Sequence, residues 1–137
     1  MGRGVFVETL QKAKQFFSED KFQKLVGVEI EQVQNGYSVC VLNLNQNHFN
    51  ADGLVQGGVL FTLADSAFAI AANSTDCFVV TLSTSMQYMT KATGNFIKAT
   101  ATLVNTSKHV CFYRVEIVDE VGALVAVANM TGYIKKR

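Results

Sequence analysis

The sequence contains no proline and no tryptophan, and it has only two histidines and three cysteines. The cysteines are far apart and form no CxxC or zinc-type pattern, so we expect buried thiols in a reducing compartment and no metal site. A formal net charge of +1 gives no reason to expect nucleic acid or an anionic membrane as a partner. No apolar run reaches the ~20 residues of a membrane span, and no secretory signal is visible, so we expect a cytoplasmic protein.

The residues that are present favour one ordered domain over residues 1–137, since 49% of them are apolar and 17% are charged. Apolar side chains at helical spacing over residues 5–17 predict a first helix. Ser18 resembles the N-cap of a second, short helix over residues 19–25. Residues 1–25 are therefore a predicted N-terminal helical segment.

Six further segments have the pattern of strands, and one long apolar segment between them, residues 57–73, has the length of a helix. Asn35-Gly36 separates the first two strands and predicts a tight hairpin. The last four strands, joined by short turns, predict an antiparallel meander. A helix that is apolar all round predicts an α+β fold, in which a curved antiparallel sheet of about six strands wraps the long central helix. The predicted strands span residues 26–33, 37–44, 78–89, 96–105, 109–118 and 123–134.

The predicted central helix carries one carboxylate, Asp65, among apolar side chains. From Gly57 to Ala72 the only other polar side chains are those of Thr62 and Ser66. An ionised carboxylate in such a place costs several kcal/mol unless it is paired or in contact with water. Asp65 therefore either belongs to a buried polar network or lines a functional site.

The residues around this helix form the motif Asn50-x-x-Gly53-x-x-Gln56-Gly57-Gly58-x-x-x-x-Leu63-Ala64-Asp65-x-Ala67, and the run Tyr88-Met89-Thr90-Lys91-Ala92 follows downstream. Both resemble the hotdog-fold acyl-CoA thioesterases of the phenylacetate-degradation (PaaI-like) type. The likeness covers roughly residues 25–134. One position departs from the pattern, because that family usually has a histidine where this chain has Gln56.

This resemblance implies a hydrolase that converts a small or medium acyl-CoA, aromatic or aliphatic, to the free acid and coenzyme A. It implies no cofactor beyond the coenzyme A that forms part of the substrate, and self-association into a dimer or a tetramer of two dimers. The alternative is a non-catalytic acyl-CoA-binding or sensing module on the same fold. The sequence leaves open whether the thiol carrier is coenzyme A or a protein.

The start of the central helix suits it to thioester chemistry. A helix N-terminus offers unpaired backbone N–H groups, and Gly57 and Gly58 have no side chain to keep a carbonyl away from them. Asp65 follows Gly57 by eight residues, or ~12 Å along the axis. The spacing therefore argues for Gly57 of one subunit facing Asp65 of another. Asp65 would act as the general base or as the nucleophile, and the sequence leaves both open.

Four further residues complete the predicted catalytic set. Asn50 lies where the family has an asparagine near the thioester carbonyl, and a turn-forming role is the alternative. Gln56 either anchors the loop or donates a hydrogen bond toward the carbonyl, but it cannot titrate. Thr81 and Ser83 are expected on one face of the strand after the helix, where a hydroxyl in related enzymes helps to hold the water, and Thr81 is the closer match.

The remaining predictions concern substrate binding. Phe61 and Phe68 share the helical face of the carboxylate, which predicts either an acyl pocket or core packing. His48 is expected in the loop near the site entrance, and the turn residues Lys91 and Lys108 are expected near the phosphates of coenzyme A. The full predicted substrate-binding set is Gly58, His48, Phe61, Phe68, Tyr88, Lys91 and Lys108.

Overall fold

The computed structural model describes residues 2–135, with side chains from Leu10 onward. The helices are α1 (Gly2–Phe17), α2 (Lys21–Val26) and α3 (Gly57–Asn73), and a short 3₁₀ turn spans Gln46–His48. The strands are β1 (Glu29–Gln34), β2 (Tyr37–Asn43), β3 (Phe78–Tyr88), β4 (Phe96–Thr106), β5 (Val110–Asp119) and β6 (Leu124–Lys135). In this described part of the chain, no helix is long and apolar enough to cross a bilayer.

The short helix α2 is held at its start by Asp20, whose carboxylate accepts a hydrogen bond from the Gln23 N–H at 3.0 Å. The prediction of Ser18 as this cap is wrong, because the Ser18 hydroxyl instead donates to the Gln15 carbonyl at the end of α1. Gly27 then ends α2 with a φ of 101°, a left-handed conformation that glycine adopts without steric cost.

The six strands form one antiparallel sheet in the order β1-β2-β4-β5-β6-β3. The predicted four-strand meander is wrong for β3, which pairs with β6, while β2 lies beside β4. The physical reason is the path of residues 89–95, the β3–β4 loop, which crosses the ends of β6 and β5. Within it, the Met89 N–H bonds to the Val125 carbonyl and the Thr93 N–H bonds to the Asp119 carboxylate. As a result, β1 and β3 are the edge strands of the sheet.

The core lies between α3 and the inner face of the sheet, all six strands of which contact the helix. Phe68 is buried there and meets the Tyr113 ring edge-on, with ring centroids 5.3 Å apart. The buried Ser38 hydroxyl donates to the Ala67 carbonyl at 2.6 Å and so ties β2 to the helix. The strip of α3 that carries Asp65 is less covered. This is the α+β arrangement predicted, a curved antiparallel sheet around a long helix.

Candidate active site

The tip of α3 is capped by its own preceding residue. The Gln56 side-chain oxygen accepts a hydrogen bond from the Gly58 N–H at 2.5 Å, and the Gln56 N–H donates to the His48 carbonyl. A Cβ on Gly58 would lie 2.7 Å from that side-chain oxygen, so the cap requires glycine or must move. The Gly57 N–H, the first amide of the helix, has no hydrogen-bond partner among the described residues. The tip therefore keeps one free backbone donor.

Asn50 shapes the loop just before this tip. Its side-chain oxygen accepts hydrogen bonds from the Asp52 N–H at 2.9 Å and the Leu54 N–H at 3.0 Å. Asn50 is thus a turn former, which is one of the two roles predicted for it. Its side-chain amino group bonds to no described residue and is available as a donor. Asn50 and Gly57 both line a cavity of about 290 Å³ at the start of α3.

The opposite wall of this cavity comes from the end of β3 and the β3–β4 loop. Tyr88 and Lys91 line it, and the Tyr88 ring lies 3.7 Å from where a Cβ on Gly57 would be. Lys108 lies elsewhere, in the turn before Val110 at the far end of β5. The ten residues of β5 separate it from the β3–β4 loop, a path of about 33 Å along the strand. One chain therefore brings Tyr88 and Lys91 to the helix tip, but not Lys108.

Asp65 has a defined partner in β3. The Thr81 hydroxyl donates a hydrogen bond to one Asp65 carboxylate oxygen at 3.1 Å. Burial raises the pKa of the Asp65 carboxyl above its ordinary value; the Thr81 hydrogen bond opposes this rise, and the negative charge of Asp20 adds to it. A carboxylate with a raised pKa is a stronger base, and it is half-buried on the less covered strip of the helix.

The expectation that Thr81 and Ser83 share one face of β3 is wrong. The pairing of β3 with β6 shifts register between these two residues, so Leu82 is an extra residue in a β-bulge. Thr81 pairs with Gly132 on the core side, whereas Ser83 pairs with Thr131 on the other face. The bulge therefore brings Thr81, and not Ser83, to Asp65.

His48 lies beneath the loop rather than at an entrance, which corrects the prediction for this residue. Its ring is buried, with Nδ1 accepting from the Asn45 N–H at 3.0 Å and Nε2 2.7 Å from the Val26 carbonyl oxygen. Because Nδ1 is an acceptor, the ring N–H is at Nε2, which donates a hydrogen bond to that carbonyl. Both ring nitrogens are therefore occupied by the main chain, and the ring ties the end of α2 to the 3₁₀ turn that His48 ends.

The two predicted aromatic residues of α3 separate in the structure. Phe68 is 1% exposed and belongs to the core, whereas Phe61 is 39% exposed on the less covered side. Only Phe61 is thus available to a ligand or a second chain without rearrangement of the core.

The cysteines match the prediction of buried thiols at two of three positions. Cys40 and Cys111 are buried, and Cys77 is half-buried. Burial raises the pKa of the Cys40 thiol to about 12 and also raises the pKa of Cys111. These two thiols are therefore poor nucleophiles at neutral pH.

Sequence reasoning missed two acidic residues that act on this region. Asp20 lies in the predicted N-terminal helical segment, and nothing in the sequence showed that it is close enough to raise the pKa of Asp65. Asp119 holds the β3–β4 loop through the Thr93 N–H. Its one available signal was its place at the start of an Asp-x-x-Gly turn, which is typical of a turn residue.

Comparison with known proteins agrees with this geometry. The Thioesterase superfamily profile matches residues 52–126. A putative esterase of Archaeoglobus fulgidus is 30% identical over 128 residues, which cover 92% of this chain and 83% of the relative. The acyl-coenzyme A thioesterase PaaI of Escherichia coli is 29% identical over 85% of this chain and 84% of its own. The solved structure of Escherichia coli PaaI superposes with a TM-score of 0.87 at 26% identity, covering 93% of both chains. The chain therefore belongs to the thioesterase superfamily, as a PaaI-like thioester hydrolase with the hotdog fold.

Proposed function

We propose that the protein hydrolyses small or medium acyl-CoA thioesters at a site built from two copies of the chain. The observation that carries this proposal is the unpartnered Gly57 N–H at the tip of α3. Its neighbour, the Gly58 N–H, is already bonded to Gln56, so Gly57 supplies the free donor beside the cavity. A preorganised donor of this kind stabilises the oxyanion that forms when a thioester carbonyl is attacked.

In the proposed reaction, Asp65 acts as the general base. It takes a proton from water while the water oxygen attacks the thioester carbon, and the oxyanion is held by the Gly57 N–H and the Asn50 side-chain N–H. Collapse of this intermediate breaks the C–S bond, and the departing thiolate of coenzyme A takes up the proton that Asp65 holds, which regenerates the carboxylate. In the second route the carboxylate attacks the thioester carbon directly and expels the coenzyme A thiolate, giving an anhydride that water then cleaves. The raised pKa of Asp65 supports its role as the base, because it makes the carboxylate more basic. The hydrogen bond from Thr81 holds the carboxylate in its ionised form.

Two copies are required because Gly57 and Asp65 are eight residues apart on one helix, or ~12 Å along its axis. A two-fold axis near Phe61 would run two α3 helices antiparallel and bring each Gly57 against the other chain's Asp65. The exposure of Phe61 supports this interface, as does the outer edge of β3, which no strand of the described residues covers and where Leu82 is 60% exposed. A tetramer of two such dimers is proposed on the family resemblance alone.

Coenzyme A is proposed as the thiol because the relative PaaI is an acyl-coenzyme A thioesterase. Lys91 lines the cavity and can contact a phosphate, and Tyr88 covers the side of the helix tip. Coenzyme A would be part of the substrate, with no further cofactor. The buried, reduced thiols of Cys40 and Cys111 suit the cytoplasm, where we propose that the enzyme works.

The sharpest test replaces Gly57 with proline and, as a matched control, with alanine. Proline at the first position of a helix is well tolerated, and the extended Gln56 (ψ 137°) suits a residue before proline. Proline lacks the N–H, whereas alanine keeps it and meets the Tyr88 ring at an ordinary 3.7 Å. Thiol release from a panel of acyl-CoA esters should show kcat about 10²–10³-fold lower for Gly57→Pro and a smaller loss for Gly57→Ala.

Circular dichroism should show both variants folded. A Gly57→Pro variant with wild-type kcat would contradict the role of the N–H. A wild type that binds acyl-CoA but never releases thiol would instead favour the sensing module.

A mixing experiment tests the two-chain site directly. Gly57→Pro and Asp65→Asn are each expected to be nearly inactive alone. In a heterodimer of the two, one site combines an intact Gly57 with an intact Asp65, and the other site has neither. Random reassociation of equal amounts should restore about a quarter of wild-type activity, since about half the dimers are mixed and each has one good site. No recovery, despite demonstrated subunit exchange, would show that the site lies within one chain.

A further inference from the structure

Asp119, at the end of β5, is a carboxylate whose hydrogen bonds all go to the main chain. It is 3% exposed. One oxygen, Oδ1, accepts from the Val121 N–H at 3.1 Å and the Ala123 N–H at 2.9 Å, and the other, Oδ2, accepts from the Thr93 N–H at 2.9 Å. These hydrogen bonds, that from Thr93 foremost, hold the pKa of Asp119 below its ordinary value. The group therefore stays ionised and accepts strong hydrogen bonds at neutral pH.

The two oxygens serve different segments. Oδ1 closes the tight turn between β5 and β6, which is local to Asp119 itself. Oδ2 reaches across to the β3–β4 loop, far away in sequence. That loop is also fixed at its ends, by the Met89 N–H on the Val125 carbonyl and by the Asn95 N–H on the Glu120 carboxylate, both at 2.8 Å. Between these two ends, the Thr90 N–H also bonds to the Val125 carbonyl at 3.3 Å, and the bond from Thr93 to Asp119 holds the middle of the loop, next to the segment that lines the cavity.

We propose that Asp119 is a positioning residue for the thioesterase reaction: through Thr93 it holds the wall formed by Tyr88 and Lys91 against the start of α3. This inference rests on the proposed function, in which Lys91 contacts a phosphate of coenzyme A. Asp119 itself touches no substrate. Its effect is on how firmly the coenzyme A portion is held, and therefore on KM more than on kcat.

The substitution Asp119→Asn separates the two duties. The single oxygen of asparagine can still close the turn through Val121 and Ala123, but its amino group then faces the Thr93 N–H, donor against donor. The turn is kept and the loop is released. The matched control is Glu116→Gln, the same chemical change on an exposed side chain of the same strand, which accepts a hydrogen bond from the Arg114 Nε–H.

We expect Asp119→Asn to raise KM for acyl-CoA, and the dissociation constant of free coenzyme A by calorimetry, about tenfold. It should leave the acid limb of the pH profile, which reports Asp65, in place. Glu116→Gln should behave as wild type. Unchanged KM and coenzyme A binding in a folded Asp119→Asn variant would overturn the proposal and leave Asp119 a purely structural residue.

A double-variant cycle with Lys91→Ala gives a second, independent readout. If Asp119 acts through the loop, Lys91→Ala should weaken coenzyme A binding strongly in the wild-type background and much less in Asp119→Asn. Fully additive losses would refute the inference. Failure here is distinguishable from failure of the proposed function, because thiol release by the wild type and the Gly57→Pro result are measured with Asp119 intact, and coenzyme A binding is measured without turnover.

Discussion

The hydrogen bond between Thr81 and Asp65 predicts a specific change in the pH dependence of the enzyme. The bond favours the ionised carboxylate, so Thr81→Val, which removes the hydroxyl but keeps the shape, should raise the pKa of Asp65 further. A hydrogen bond to a charged group contributes about 1.5–3 kcal/mol. Because Thr81 is exposed in the single chain, screening reduces this to about 1 kcal/mol, or about fivefold in the population of the ionised form.

The direction of the change in kcat/KM follows from the role of Asp65 as a base. Its active, ionised form is present above the pKa and is lost as the pH falls through it. On the acid limb, kcat/KM of Thr81→Val should therefore be about one fifth of the wild-type value, with a smaller difference at high pH. The assay is thiol release from one acyl-CoA ester between acid and neutral pH. Ser83→Ala is the matched control, since the bulge puts Ser83 on the other face. Superimposable acid limbs for Thr81→Val and wild type would refute the reasoning, as would a shift in Ser83→Ala.

Three further outcomes are expected. Gln56→Ala removes the cap on the Gly58 N–H and should lower the free energy of unfolding in urea by about 1 kcal/mol, and a much smaller loss would show that the cap is not formed in solution. Phe68→Ala should cost about 3–5 kcal/mol in the same assay, whereas Phe61→Ala, at an exposed side chain, should cost far less, and equal losses would contradict their different burial. Leu82→Lys on the free edge of β3 should weaken self-association in sedimentation experiments, and an unchanged assembly would exclude that edge from the interface.

Local sequence signals were sufficient for the central helix and for most strand boundaries. The glycine pair and the apolar run predicted residues 57–73, and α3 spans Gly57–Asn73. The Asn35-Gly36 hairpin also formed as predicted, between β1 and β2. Asn50 and Gly57, which the family resemblance put in one motif, line one cavity. Each of these features depends on residues close together in the chain.

Features that depend on distant contacts could not be predicted. The position of β3 beside β6 follows from the path of the β3–β4 loop, whose anchors lie on other strands. The bulge at Leu82 reverses the face of Ser83, and alternating patterns give no sign of a single extra residue. The burial of His48 depends on the carbonyl of Val26, which belongs to a different helix. The cap of α2 depends on which of two nearby side chains accepts a hydrogen bond from the Gln23 N–H. Asp20 accepts it, whereas Ser18 donates to α1, and the local pattern did not distinguish the two.

The pairing of β3 with β6 also bears on how the chain folds. β3 carries Thr81, yet its only strand neighbour in the described chain is β6, with β4 and β5 intervening in sequence. During synthesis, β3 emerges from the ribosome before its neighbour exists, and such long-range closure is slow. Until β6 is synthesised, both edges of β3 are open to association with other chains. Truncation of the chain within β6 should therefore lower solubility and also displace Thr81, the hydrogen-bond partner of Asp65.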